Sequence, residues 1–332
     1  MYDHYIAVDW AQRNMAIARM TSRSNKVSVI DVPSSIRELQ IYLGALKGTK
    51  ILTIEETTPA QWLYTELKDH VDEIVVCDPT RNRLLSEGPK TDKIDAEKLV
   101  RLLRADLLKP VFHTADQFVY IRKLVSGYDD VIKALTRLKN QRSALFRAIG
   151  KSKNEESLES PAEGFVLNGL DSAIKSHEEQ RERYIKEFEK LSRKYRIIKN
   201  LLGIPGIGTI GAVKIAAIVV DANRFKDRGN FLSYCGLVKL EKISGGKSYG
   251  SKTPRYCRPL KGVFKIAAFT AAVNPNRTNS MRAYYTHLIE EKGYPEYNAR
   301  HAVARRIAVL TYGVLKSGKK FEVGGQKCKQ KS

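Results

Sequence analysis

Four acidic residues, Asp9, Glu55, Asp92 and Asp95, occur where a βα fold could gather them. Asp9 closes the apolar stretch YIAVD at 5–9, and Glu55 closes KILTIE at 50–55. Asp92 and Asp95 stand three apart, on one face of a helix start. Carboxylates brought together repel one another unless a cation sits among them, so such a cluster calls for a divalent metal. Oxygen-only donors favour Mg²⁺ or Mn²⁺ over Zn²⁺. Two such ions about 3.5–4 Å apart clamp the attacking and leaving oxygens of an in-line displacement, so phosphoryl transfer is the chemistry to expect. Each acid also has an ordinary use: an aspartate at a strand end commonly serves a turn, and Asp92 could cap its helix. Glu56 competes with Glu55, since strand alternation points only one of them inward. Glu55 is preferred because it directly follows Leu52-Thr53-Ile54.

Strands and helices around these acids follow from local sequence patterns. Residues 5–9, 15–20 and 27–32 read as three short strands, separated by turn residues that include Ser22, Ser24 and Asn25. A helix follows at about 35–46, with Ile36, Leu39, Leu43 and Leu46 at helical spacing. Then come a strand at 50–55, a helix at 59–70 opened by Pro59, and a strand at 73–78. A basic loop from Arg81 through Arg83 to Lys90 leads into a helix running from Thr91 or Asp92 to about Arg104. The β-β-β-α-β-α-β-α order is that of a ribonuclease H-like α/β domain, expected over 1–110. Asp9 and Glu55 lie side by side there if the first and fourth strands are neighbours.

A second constellation is Ser244 in Lys242-Ile243-Ser244-Gly245-Gly246-Lys247. A serine among glycines and lysines can present its hydroxyl to a phosphate held by backbone amides and cations, but it needs a base or metal for activation. No histidine lies close by in sequence, and a phosphate-binding turn is the other reading. Ser248, Ser251, Tyr249 and Tyr256 are rival hydroxyls. Lys247, Lys252, Arg255, Arg258, Lys261 and Lys265 continue the stretch at spacings suited to tracking a nucleic-acid backbone. Tyr249 and Tyr256 could stack unpaired bases. Arg300, Arg305 and Arg306 suggest a basic helix face.

Between the two constellations, 116–150 and 168–200 carry apolar residues at steps of three and four, separated by the polar stretch 151–164. They predict a helical hairpin or coiled-coil dimerisation arm over 111–200. From 201 the sequence LLGIPGIGTIGAVKIAAIV reads as helix, glycine turn, helix. Gly206 and Gly208 are candidate phosphate contacts at a helix start, and a plain αα-turn is the alternative. Helices at about 260–273, 278–292 and 296–316 complete a mainly α domain over 201–323, followed by a flexible tail at 324–332.

Composition agrees with this division. The chain of 332 residues has 58 basic and 36 acidic residues, a net charge of +22. Residues 1–110 are neutral, 111–200 carry +5 and 201–332 carry +17. Such charge favours a polyanionic partner. Cys77, Cys235, Cys257 and Cys328 form no C-x-x-C pair, which argues against a zinc ribbon and for reduced thiols in the cytoplasm. The apolar runs are too short, or too interrupted by Lys214 and Lys265, to cross a membrane.

Asp9 in IAVDWAQ, Glu55 in TIEET, Asp92 and Asp95 in KTDKIDA, GIPGIG, YCGL, SGG and YGVLKSG follow one another in an order that resembles the DEDD insertion-sequence transposases related to the Piv DNA invertases. That group includes the bridge-RNA-guided recombinases. The resemblance implies a RuvC-like N-terminal domain whose four acids bind Mg²⁺. It also implies Ser244 as a nucleophile forming a covalent serine–DNA link, and an arm supporting dimers and a tetramer. The partners it implies are donor and target DNA and an element-encoded structured non-coding RNA. Two other readings of the same residues stay open: a hydrolytic Holliday-junction nuclease, and a non-catalytic nucleic-acid-binding protein.

Overall fold

The computed structural model describes residues 1–79, 91–114, 118–152, 160–273 and 279–321. The chain forms two compact units, Met1–Asp116 and Gln117–Ser332.

The first unit is a mixed α/β domain. Its elements are β1 (His4–Trp10), β2 (Asn14–Thr21), β3 (Ser24–Pro33), α1 (Ile36–Ala45), β4 (Lys50–Glu55), α2 (Ala60–Leu67), β5 (Glu73–Cys77) and α3 (Asp92–Arg104). They come in the order expected from the sequence. The sheet order is β3-β2-β1-β4-β5, with β1, β2 and β3 antiparallel and β1, β4 and β5 parallel. Alternation along the strands builds a core on each face. Ile6, Val8, Leu52 and Ile54 pack with Leu39, Leu43 and Leu63 of α1 and α2. Ala7, Ala16, Ala18 and Ile51 pack with Ala96, Leu99, Val100 and Leu103 of α3. The alanines let α3 lie close to the sheet.

The second unit is helical. Its long elements α4 (Phe118–Ala148) and α5 (Pro161–Lys194) form an antiparallel pair, tied by Lys139–Glu178 and Arg142–Asp171 ion pairs, each at 2.6 Å. Thirty-one residues of α4 span about 46 Å. α5 begins earlier than the sequence suggests, because Pro161 supplies a helix-ready first position within what looks like loop. It also stops at Lys194: extended Tyr195 separates it from α6 (Arg196–Leu201). The base of the pair is not an independent arm, for Ile121, Val125, Tyr128, Phe188 and Leu191 belong to the main core of this unit.

That core continues through α6, α7 (Thr209–Val219), α8 (Arg228–Tyr234), α9 (Arg258–Ala272), α10 (Ser280–Glu290) and α11 (Glu296–Ser317). Lys214, which interrupts the apolar sequence of α7, is accommodated by an ion pair with Asp129 of α4 and lies over the Tyr128 ring at 5.2 Å. Between α8 and α9 stands a two-stranded hairpin, β6 (Leu240–Ser244) and β7 (Lys247–Lys252), where the sequence suggested only a glycine- and lysine-rich stretch. Every hairpin residue is exposed, so the strands lack the in–out alternation that would have announced them. No helix of the described residues is long and apolar enough to cross a membrane.

Candidate active site and nucleic-acid surface

β1 and β4 run parallel and in register through the pair Val8–Ile54, so Asp9 and Glu55 are the next residues along, at the same end of neighbouring strands. Asp9 shares the sheet face of Ala7, and Glu55 shares that of Ile51, the face covered by α3. On α3 the sheet-facing stripe is Ala96, Leu99 and Leu103; Asp92 and Asp95 lie on its N-terminal continuation. The capping role open to Asp92 is taken by Thr91, whose Oγ1 accepts from the Ile94 N–H at 3.3 Å. Both aspartates therefore stand in the first turn, where the helix macrodipole favours negative charge.

One end of one sheet face thus carries four carboxylates, an all-oxygen donor set suited to a hard divalent cation. Among the described residues, no three His, Cys, Asp or Glu side chains are close enough together to hold a metal ion. The donor chemistry suits a hard divalent cation, but the side chains of Asp9, Glu55, Asp92 and Asp95 are not gathered into a coordination shell.

The rival acid Glu56 has a different environment. It is exposed, and its Oε2 lies 2.5 Å from Nε2 of His113, whose side chain is only 7% exposed. His113 Nδ1 meets Gln61 Oε1 at 3.0 Å, and Gln61 Nε2 donates to the Thr114 carbonyl at 2.8 Å. The segment carrying His113 runs along β5, with Val111 N–H donating to Val76 O at 2.7 Å and Asp78 N–H to Lys109 O at 3.1 Å. His113 thereby straps the β4–α2 connection to the edge of the sheet. Sequence reasoning missed this network because its partners stand 57 and 52 residues from His113.

In the second unit, Ser244 ends β6 and pairs with Lys247 across a two-residue turn. Gly245 (φ +55°) and Gly246 (φ +74°) both occupy the left-handed region, as a type I′ hairpin turn requires. Ser244 is consequently displayed at the tip of an exposed, lysine-bearing hairpin with Lys242, Lys247 and Lys252.

The other expected nucleic-acid contacts divide. Gly206 (φ +86°) is required by packing: a Cβ there would lie 2.1 Å from the Ala267 carbonyl of α9. Gly208 precedes α7 as its N-cap, is exposed and has open space around it. Tyr249 is 67% exposed, as base stacking would need. Tyr256 is instead half-buried, set against Gly236 with Lys261 Nζ 4.3 Å from its ring centroid. Arg255 and Arg258 are exposed, and Arg258 opens α9. Arg81, Arg83 and Lys90 lie outside the described residues.

The expected basic face of Arg300, Arg305 and Arg306 does not form as one surface. Arg300 pairs with Glu296 at 3.4 Å, and Arg306 lies over Tyr284 at 4.5 Å. Among the cysteines, burial pushes the thiol of Cys235 well up from its ordinary value and raises that of Cys257, which disfavours the reactive thiolate in both.

Two protein-family comparisons match the chain. A model described as Transposase, of the IS110 DEDD type, covers residues 6–150 and hence all four acids. A second, described as Transposase IS116/IS110/IS902 family, covers residues 198–286, including the glycine turn and the hairpin with Ser244. A relative from Streptomyces clavuligerus, the insertion element IS116 uncharacterized 44.8 kDa protein, is 30% identical over 156 residues. That alignment covers 47% of this chain and 36% of the relative, so the match spans about a third of that protein. In chain order, residues 6–150 and 198–286 are thus each similar to insertion-sequence transposases of the IS110/IS116 type.

Proposed function

We propose that this chain is a DNA transposase in which Asp9, Glu55, Asp92 and Asp95 of a RuvC-like domain hold divalent metal, Mg²⁺ or Mn²⁺, and Ser244 attacks the scissile phosphorus. The observation that carries this reading is the common position of Asp9 and Glu55 at one end of parallel neighbours, on the face where α3 begins with Asp92 and Asp95. A bound divalent ion supplies Lewis-acid polarisation and charge neutralisation at a phosphoryl group. The chain's own residues hold that charge in place, and the hairpin presents the Ser244 hydroxyl among lysines that offset phosphate charge.

In this reading the serine forms an ester with the phosphorus as the 3′ or 5′ oxygen of the cut strand leaves, and rejoining reverses the exchange without loss of bond energy. The hairpin holds no histidine, and its one carboxylate, Glu241, stands three residues before Ser244 in β6, so activation of the hydroxyl comes from outside the hairpin. The α4–α5 pair serves dimer and tetramer assembly. A structured RNA of the element pairs with donor and target DNA, and the chain works in the cytoplasm.

Strand cleavage by the purified chain with its DNA substrate tests the proposal. Asp9→Ala, Glu55→Gln and Asp95→Asn are each expected to lower the cleavage rate at least about 10³-fold while DNA binding persists. Free hydrolysed ends without protein attachment would favour the junction-nuclease reading. Unchanged function in all three variants would favour a non-catalytic binding protein.

A further inference from the structure

α9 and α11 pack against each other, and each turns an i, i+4 pair of bases outward on one shared side: Lys261 and Lys265 on α9, His301 and Arg305 on α11. Lys239, the residue immediately before β6, joins them, and all four cations bear on the His301 ring. Lys239, Lys265 and Arg305 are exposed; Lys261 and His301 are half-buried. No acidic residue occupies the first turn of α9, which opens instead with Arg258, so two cations sit at the end of a helix where the macrodipole is already positive. Positive charge gathered against the helix dipole is costly for the free chain and is relieved by an anion.

We infer that Lys239, Lys261, Lys265, His301 and Arg305 form one site for consecutive phosphates of a nucleic-acid backbone, beginning at the base of the Ser244 hairpin, at which His301 takes up a proton as the backbone binds. The inference rests on the DNA-binding reading above and adds to it a contact surface with its own pH response. The charged groups that face the imidazole are Arg305 on its own helix, Lys261 and Lys265 from α9, and Lys239 immediately before β6. Burial first, and then these cations, hold His301 below the ordinary histidine range in the free chain. Phosphate entering among them cancels their field, so the ring gains a proton and a further donor to phosphate. By linkage, binding then strengthens as pH falls from about 7.5 to 6.

The experiment measures affinity of the full chain for a random-sequence DNA duplex over a range of salt and pH. The variants are the triple Lys261→Gln/Lys265→Gln/Arg305→Gln, the single Lys265→Glu on an exposed position, His301→Gln and, as a control from the same helix, Arg306→Gln. The triple variant is expected to lower the magnitude of the log–log salt slope by about 2–3 and to weaken binding at least about tenfold. Lys265→Glu is expected to shift affinity the same way in a smaller step, and Arg306→Gln to keep the parent's slope. His301→Gln is expected to match the parent near pH 7.5 and to lose the gain on acidification. A parent that fails to bind the duplex overturns the transposase reading and this one with it. A parent that binds, with triple and Lys265→Glu variants that retain its slope, overturns the site alone; a His301→Gln variant with the parent's pH response overturns the proton uptake.

Discussion

His113 Nε2 lies 2.5 Å from Glu56 Oε2, one residue beyond the proposed metal ligand Glu55. Because Gln61 turns its amide nitrogen to the Thr114 carbonyl, its oxygen faces His113 Nδ1, which therefore carries a proton and donates. The contact between Nε2 and Glu56 closes the network on the other side of the ring. Two successive glutamates are thus given different work: Glu55 faces α3 with Asp9, while Glu56 anchors the strap that fixes the end of β4.

Glu55→Gln and Glu56→Gln should accordingly separate. The first is expected to abolish strand cleavage with little change in melting. The second is expected to retain cleavage within about tenfold and, like His113→Leu, to lower stability by about 1–3 kcal/mol, since it weakens a hydrogen bond to a nearly buried side chain. Denaturant titration and a cleavage assay on the same samples check both halves.

Lys214 and Asp129 give a second stability prediction. Their pair joins α7 to α4 with side chains only 17% and 28% exposed. Asp129→Ala leaves a largely desolvated ammonium and is expected to cost about 2–4 kcal/mol, while Lys214→Met, which removes the charge and keeps the apolar stem, is expected to cost about 1 kcal/mol or less. Chemical denaturation of the two single variants measures the difference.

The stability of the DNA-free chain should also depend on His301. Its folded imidazole is held below its unfolded value, so the unfolded chain binds the proton first on acidification. This contribution is whole above about pH 6.5 and is lost as pH falls below that value toward the folded pKa. Melting temperature of the parent should decline over that window more than that of His301→Gln, and added duplex DNA should reduce the gap.

Much of the first unit was legible because its signals are local. Apolar strands end on Asp9 and Glu55, so strand order brings these two acids to one end, and a three-residue step puts Asp92 and Asp95 together in the first turn of α3. The hairpin bearing Ser244 was not legible as strands, because both of its faces meet solvent and Lys, Ser and Gly carry no alternation. Pro161 hid a helix start inside a stretch rich in Ser and Glu. Gly206, a candidate phosphate contact, also answers a packing need that spacing does not announce, against a carbonyl 61 positions away in α9. The Glu56–His113–Gln61 network and the convergence of His301 with Lys261 and Lys265 depend on tertiary pairing that no spacing announces.

The proposed reaction requires the Ser244 hydroxyl to act at a phosphorus served by the acids Asp9, Glu55, Asp92 and Asp95. The most direct measurement is mass spectrometry of protease-digested protein after reaction with labelled substrate DNA and Mg²⁺. The prediction is a nucleotide remnant on the peptide at Ser244, absent from Ser244→Ala and Asp9→Ala protein and present in Ser248→Ala. A DNA-linked adduct that persists in Ser244→Ala, or cleavage that proceeds with no adduct in the parent, would contradict it.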